Sequence, residues 1–197
     1  MSLLLVSEIF ETTTLPAFGG DFAAHIARKA NPGVRSASLT AWNLLALGLR
    51  RLGCDAPPTV RFGPQGKPEF LDMPVHFSLA HSGNLAAALL SDAPCGVDLE
   101  RVRPETSERL RERCLSAEER RLGLDFFECW TKKECIGKLD GRGIDAHPAH
   151  IDTLDAQWKG RFFTRRIDDA SGDPYALAAL CADAETLELQ RIGPEAL

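Results

Sequence analysis

Residues 85–102 (LAAALLSDAPCGVDLERV) can be laid over residues 175–192 (YALAALCADAETLELQRI) at a constant offset of 90. Ala86/Ala176, Ala88/Ala178, Leu90/Leu180, Leu99/Leu189 and Arg101/Arg191 coincide. Upstream, Trp42 and Gly53 are spaced like Trp130 and Gly141, at an offset of 88. An echo of this length asks for two similar α+β halves that meet near Leu99 to Pro104. Alanine- and leucine-rich strands also coincide by chance, so the pattern alone leaves duplication and accident both open.

The local pattern is mixed. Leu3–Leu4–Leu5–Val6 reads as a first strand, with Glu8 soon after and no basic stretch ahead of it to suggest a leader. Ser38–Leu52 carries Leu45, Leu49 and Leu52 at helical spacing and stops at Gly53. A Pro/Gly-rich stretch through Pro57, Gly66 and Pro74 is extended or turning. Val75 to Glu100 breaks into three short apolar runs joined at Ser82–Gly83–Asn84 and Asp92–Ala93–Pro94, the pattern of strands and turns. Helices are expected over Glu105–Arg113 and Phe126–Leu139, with Ser116 and Glu119 forming a capping box between them. The tail returns to strand-like runs at Arg161–Ile167, Tyr175–Cys181 and Thr186–Ile192.

A net charge of −5 argues against coating nucleic acid or an anionic membrane by bulk charge. No apolar run approaches the roughly 20 residues of a membrane span. The six cysteines are scattered, with no C-x-x-C pair, and read as reduced thiols in a cytoplasmic protein.

Chemistry concentrates in three places. In Gly96-Val97-Asp98-Leu99-Glu100, strand alternation puts Asp98 and Glu100 on one face, about 7 Å apart, with Val97 and Leu99 turned to the core. Such a pair can converge on a hard divalent cation or can simply be solvated acids. In Trp130-Thr131-Lys132-Lys133-Glu134-Cys135-Ile136-Gly137-Lys138, helical spacing lines up Trp130, Glu134 and Lys138. Glu134 can supply a third oxygen ligand there, or only an i,i+4 pair with Lys138. His81, in Phe77-Ser78-Leu79-Ala80-His81-Ser82-Gly83, ends an apolar strand where turn amides can meet a phosphate.

Together with Gly66-Lys67-Pro68, these motifs in this order resemble the Sfp-type 4′-phosphopantetheinyl transferases. The likeness runs from about Arg35 to Ile144. It implies an α+β fold, a pseudodimer of two similar halves taken as residues 1–100 and 101–197, with coenzyme A bound between them. It also implies a monomer with an internal pseudo-twofold, acting on a serine of an acyl or peptidyl carrier protein, without nucleic acid or membrane. By motif, Asp98, Glu100 and Glu134 match the magnesium ligands. His81 and Lys67 match coenzyme A contacts, and Lys133 and Lys138 match phosphate-side contacts. Arg35-Ser36, placed just before the first helix, align with an Arg-Thr pair whose hydroxyl residue contacts the nucleotide.

The chain departs from the family in two places: Ala80 stands for a serine, which implies a lost hydroxyl contact to coenzyme A, and Cys135 follows the K-E pair. In the implied reaction Glu134 or a metal-bound water takes the serine proton, and Lys138 adds positive charge. Arginines 101, 103, 109, 111, 113, 120 and 121 are candidates for docking an acidic carrier, or form a solvated helix of ion pairs with the five glutamates among them. At the repeat offsets Glu188, Gln190 and Ala46 replace Asp98, Glu100 and Glu134, so only one site is expected. A magnesium-dependent phosphodiesterase and a non-catalytic binding protein are the rival classes.

Overall fold

The computed structural model describes residues 1–104 and 106–197. Strands β1 (Leu3–Glu8) and β2 (Gly19–Gly20) come first, then helices α1 (Phe22–Ala27) and α2 (Pro32–Arg51). Strands β3 (Thr59–Phe62), β4 (Pro68–Phe70), β5 (His76–Ser82), β6 (Leu85–Ser91) and β7 (Gly96–Arg101) follow. Helices α3 (Glu108–Cys114), α4 (Ala117–Arg121) and α5 (Phe126–Asp140) lead to β8 (Phe162–Asp168), β9 (Pro174–Leu180) and β10 (Leu189–Ile192). The fold is α+β.

Two sheets share one core. The first has the order β10-β1-β6-β5 and the second β7-β9-β8. The middle strands β6 and β9 are antiparallel to both neighbours, and β10 extends the first sheet by pairing parallel with β1. Both middle strands are buried along nearly their whole length, which is why each is a run of alanine and leucine instead of an alternating sequence. Leu85, Ala87 and Leu89 of β6 meet Leu177 and Ala179 of β9 in the common core. The opposite row of β6, Ala86, Ala88 and Leu90, packs on α2 through Trp42 and Leu45. The opposite row of β9, Ala178 and Leu180, packs on Cys135 of α5. The repeat offset of 90 therefore lays the middle strand of one sheet on that of the other. Gly53 and Gly141 both follow a helix with positive φ, 76° and 77°, as left-handed C-terminal glycines do.

Several boundaries differ from the sequence expectation. Helix α2 starts at Pro32 and not at Ser38, because Asn31 accepts a hydrogen bond from the Val34 N–H and Pro32 occupies the first turn. Arg35 and Ser36 therefore lie inside that helix, not ahead of it, and α1 precedes it. The helix expected over Glu105–Arg113 runs from Glu108, capped by Ser107; Glu105 itself lies outside the described residues. The capping box of Ser116 and Glu119 forms as expected. Of the Thr186–Ile192 run only Leu189–Ile192 is strand, since pairing with β1 begins at Leu189 opposite Leu4. Among the described residues, no helix is long and apolar enough to cross a membrane.

Candidate active site

The site forms where β7 lies under α5. Val97 and Leu99 enter the common core, so the other row of β7, Gly96, Asp98 and Glu100, is turned to the helix. Gly96 lets the two backbones touch. A Cβ there would overlap the Cys135 carbonyl oxygen and stand 2.9 Å from the carbonyl carbon. Lys138 donates to Asp98 Oδ1 at 2.7 Å and to the Val97 carbonyl at 2.9 Å. Trp130 Nε1 donates to Glu100 Oε1 at 3.4 Å, and Ser82 Oγ donates to Glu100 Oε2 at 3.1 Å.

This arrangement concentrates negative charge in a half-buried place. Burial, then the Asp98 charge, raises the pKa of Glu100 against the hydrogen bonds from Ser82 and Trp130. Burial and Asp98, with Glu100 adding to them, likewise raise Glu134 against the attraction of Lys138. Burial alone pulls Lys138 down, but Asp98 and Glu134 outweigh it and hold the ammonium above its ordinary value. Asp98 Oδ2 is buried with no hydrogen-bond partner among the described residues, and leaving a charged oxygen so costs more than the ~1–3 kcal/mol of a neutral group.

The other predicted contacts lie on separate elements, His81 on β5, Arg35 and Ser36 on α2, and Lys67 just ahead of β4. The pKa of His81 is lowered by burial and by the charges of Lys29 and Lys138, with Asp98 opposing them. Arg35 donates twice to the Lys29 carbonyl, at 2.8 and 3.0 Å. Arg35 and Ser36 line a cavity of about 580 Å³ with residues 9–13. Lys67 lines a smaller cleft of about 250 Å³ with Gly66, Phe77, Leu79, Gly137 and Lys138. Its ammonium donates to the Leu139 carbonyl at 2.6 Å, at the electronegative end of α5.

Alignment with known proteins gives this geometry a relationship. A family model described as the 4′-phosphopantetheinyl transferase superfamily matches residues 94–180, the stretch that carries Asp98, Glu100, Glu134 and Lys138. The 4′-phosphopantetheinyl transferase AcpT of Salmonella typhi is 38% identical over 144 residues, 66% of this chain and 71% of that protein. The chain belongs to the 4′-phosphopantetheinyl transferase superfamily. The psf-1 transferase of Bacillus pumilus is 37% identical over 89 residues, 40% of this chain and 38% of the relative. The Sfp transferase of Bacillus subtilis is 31% identical over 96 residues, 43% of each. The alignments thus span well under half of the two Bacillus transferases.

Two expectations drawn from the family motifs need correcting. Lys133 is not open to a phosphate: its side chain is fully buried, paired to Glu119 at 2.8 Å and donating to the Ile151 and Pro148 carbonyls at 2.7 and 3.2 Å. Lys133 and Lys138 are five residues apart, roughly 140° around a helix, so they cannot serve one cleft. Ala80 is 5% exposed and faces the common core, so a hydroxyl there would meet β7 and not a nucleotide. A cation that sequence reasoning did not single out is Lys29, whose charge bears on His81; its signal is the basic pair Arg28–Lys29 shortly ahead of the Asn31–Pro32 helix start.

No group of three or more His, Cys, Asp or Glu side chains among the described residues is disposed to enclose a metal ion. The donor chemistry nevertheless fits magnesium, which keeps its waters and binds through one or two carboxylates plus substrate phosphates. Asp98 Oδ2, without a hydrogen-bond partner among the described residues, and the half-buried Glu134 carboxylate are oxygens of that kind.

Proposed function

We propose that this chain transfers the 4′-phosphopantetheine arm of coenzyme A to a serine of an apo acyl or peptidyl carrier protein, releasing adenosine 3′,5′-bisphosphate. The observation that carries this reading is the buried Asp98 Oδ2, without a hydrogen-bond partner among the described residues, in a carboxylate cluster where Asp98 raises the pKa of Glu100 and Glu134 and Lys138 holds its other oxygen. That cluster is suited to a polyanion that brings a divalent cation with it. In this reading Asp98, Glu100 and Glu134 hold magnesium, which when bound neutralises the pyrophosphate and polarises it toward attack.

The chain's own groups do the rest. Ser82 and Trp130 fix the Glu100 carboxylate. Lys138 holds Asp98 and has one ammonium proton left for a phosphate oxygen. Lys29, Arg35, Ser36 and His81 bind the nucleotide end, and Lys67 lines the cleft beside Lys138. In this reading Glu134, whose pKa is raised and which has no hydrogen-bond partner among the described residues, takes the serine proton. The chain works as a cytoplasmic monomer, its two halves, residues 1–100 and 101–197, forming a pseudodimer with one site. The matching central strands and the exposed Glu188 and Gln190 support that reading.

The test is direct. Incubate the chain with coenzyme A, magnesium and a panel of apo carrier proteins, and weigh the carriers by mass spectrometry. A gain of one phosphopantetheine, lost with Asp98→Ala, is expected. Unmodified carriers throughout the panel would overturn the reading.

A further inference from the structure

The largest stretch without regular strand or α-helix, residues 141–161, is tied to α5 by a buried polar knot. Glu119 and Lys133 both have fully buried side chains and pair at 2.8 Å. Glu119 Oε2 also accepts from the Ser116 N–H at 2.7 Å. Glu119 Oε1 accepts from the Thr153 hydroxyl at 2.7 Å and the Thr153 N–H at 3.3 Å. Lys133 spends its other two protons on the Pro148 and Ile151 carbonyls. Every donor of the ammonium and both carboxylate oxygens are thus used, the condition under which a buried pair specifies one arrangement. Burial pushes the Glu119 carboxyl up, but the bonds from Lys133, Thr153 and Ser116 hold it below its ordinary value.

Lys133 is the residue before Glu134. On a helix its side chain is about 100° from that of Glu134, so a lysine anchored on three sides fixes the rotation of α5 about its own axis. That rotation sets where Glu134 and Lys138 stand over Asp98. We infer that the Glu119–Lys133–Thr153 knot is a positioning device: Glu119, Lys133 and Thr153 touch neither substrate nor cation, and act by setting the register of the α5 face on β7. This rests on the phosphopantetheinyl-transfer reading for its kinetic consequence, but not for its structural one.

Three variants test it, each measured for steady-state transfer and for amide hydrogen exchange of residues 131–138. Glu119→Gln with Lys133→Met together removes both charges and leaves no lone buried ion. Thr153→Val removes one hydroxyl, and Glu119→Gln keeps the shape of the carboxylate. For the double variant, with rates expressed per mole of folded enzyme so that an unfolded fraction does not count as lost kcat, the expected result is a kcat lowered about tenfold or more with the coenzyme A KM within about twofold. Exchange over residues 131–138 should rise with it. Thr153→Val should show the same split at about threefold in kcat, and decides the matter if the double variant does not fold. Glu119→Gln, which leaves the buried Lys133 ammonium without its counter-charge, should lower kcat at least as far as the double variant. Folded variants with unchanged kcat and unchanged exchange would overturn the inference. Absence of transfer by the unaltered chain would instead sink the functional reading, and the exchange measurement would still decide the knot.

Discussion

Replacing Gly96 by alanine tests the central geometry with a single methyl group. The added Cβ would overlap the Cys135 carbonyl oxygen, 2.9 Å from its carbon and 3.1 Å from Cα. These are backbone atoms in the middle of α5, so no side-chain rotation can make room. Relief to ordinary contact at ~3.5 Å or more requires the helix and β7 to separate by roughly 1 Å. Overpacking of this kind costs about 1–3 kcal/mol, which for a chain of this size lowers Tm by about 2–12 °C at ~2–4 °C per kcal/mol. The same separation moves Glu134 and Lys138 away from Asp98, and a misplacement of about 1 Å costs on the order of 100-fold in rate. Transfer followed by carrier mass, with Tm from calorimetry, should show a folded protein that has lost most of its kcat. A Gly96→Ala protein with normal Tm and normal kcat would refute the close packing of β7 on α5 as the basis of the site.

Three further outcomes follow from the electrostatics and the strand contacts. Glu100 and Glu134 have folded pKa values above their ordinary 4.5, so their contribution to stability is full below that value and is lost as pH rises through the raised ones. In chelator, Tm should therefore fall as pH climbs above about 4.5 toward neutrality. Glu134→Gln should flatten that fall and raise Tm at pH 7 while abolishing transfer; an unchanged pH profile would show that the carboxylates do not repel. Lys29→Ala should raise the coenzyme A concentration needed for half-maximal rate while leaving the maximal rate nearly intact, and an unaltered KM would remove Lys29 from the nucleotide end. Ala80→Ser should stabilise. Ser78 and Ser82 accept the Val97 and Arg101 N–H groups at 3.0 and 3.2 Å, and strand alternation points the Leu99 N–H the same way, toward Ala80. A third such bond of about 1 kcal/mol should raise Tm by ~2–4 °C without touching the coenzyme A KM; a changed KM with unchanged Tm would return position 80 to the nucleotide site.

The sequence by itself determined those features that depend on neighbours along the chain. Alternation placed Asp98 and Glu100 on the same side of β7 and Val97 and Leu99 on the other, and helical spacing grouped Glu134 with Lys138. The Ser116 capping box and the glycine stop at Gly141 were equally legible, because each is closed by residues within a few positions. The doubly buried middle strands could be read as apolar runs, and the family motifs supplied the order in which the parts come together. What only the tertiary structure decided was which face of each element meets which partner. Lys133 and Lys138 occupy one motif, yet the seating of α5 on β7 sends one ammonium into a buried pair with Glu119 and the other to Asp98. Position 80 belongs to a turn motif, yet the way the β5 edge lies along β7 makes it a core contact. Lys29 is remote in sequence from His81, and only the folded chain brings its charge to bear on that ring. A one-dimensional pattern fixes the angle between side chains on one element, whereas the rotation of that element against its neighbours is set by packing among residues far apart in the chain.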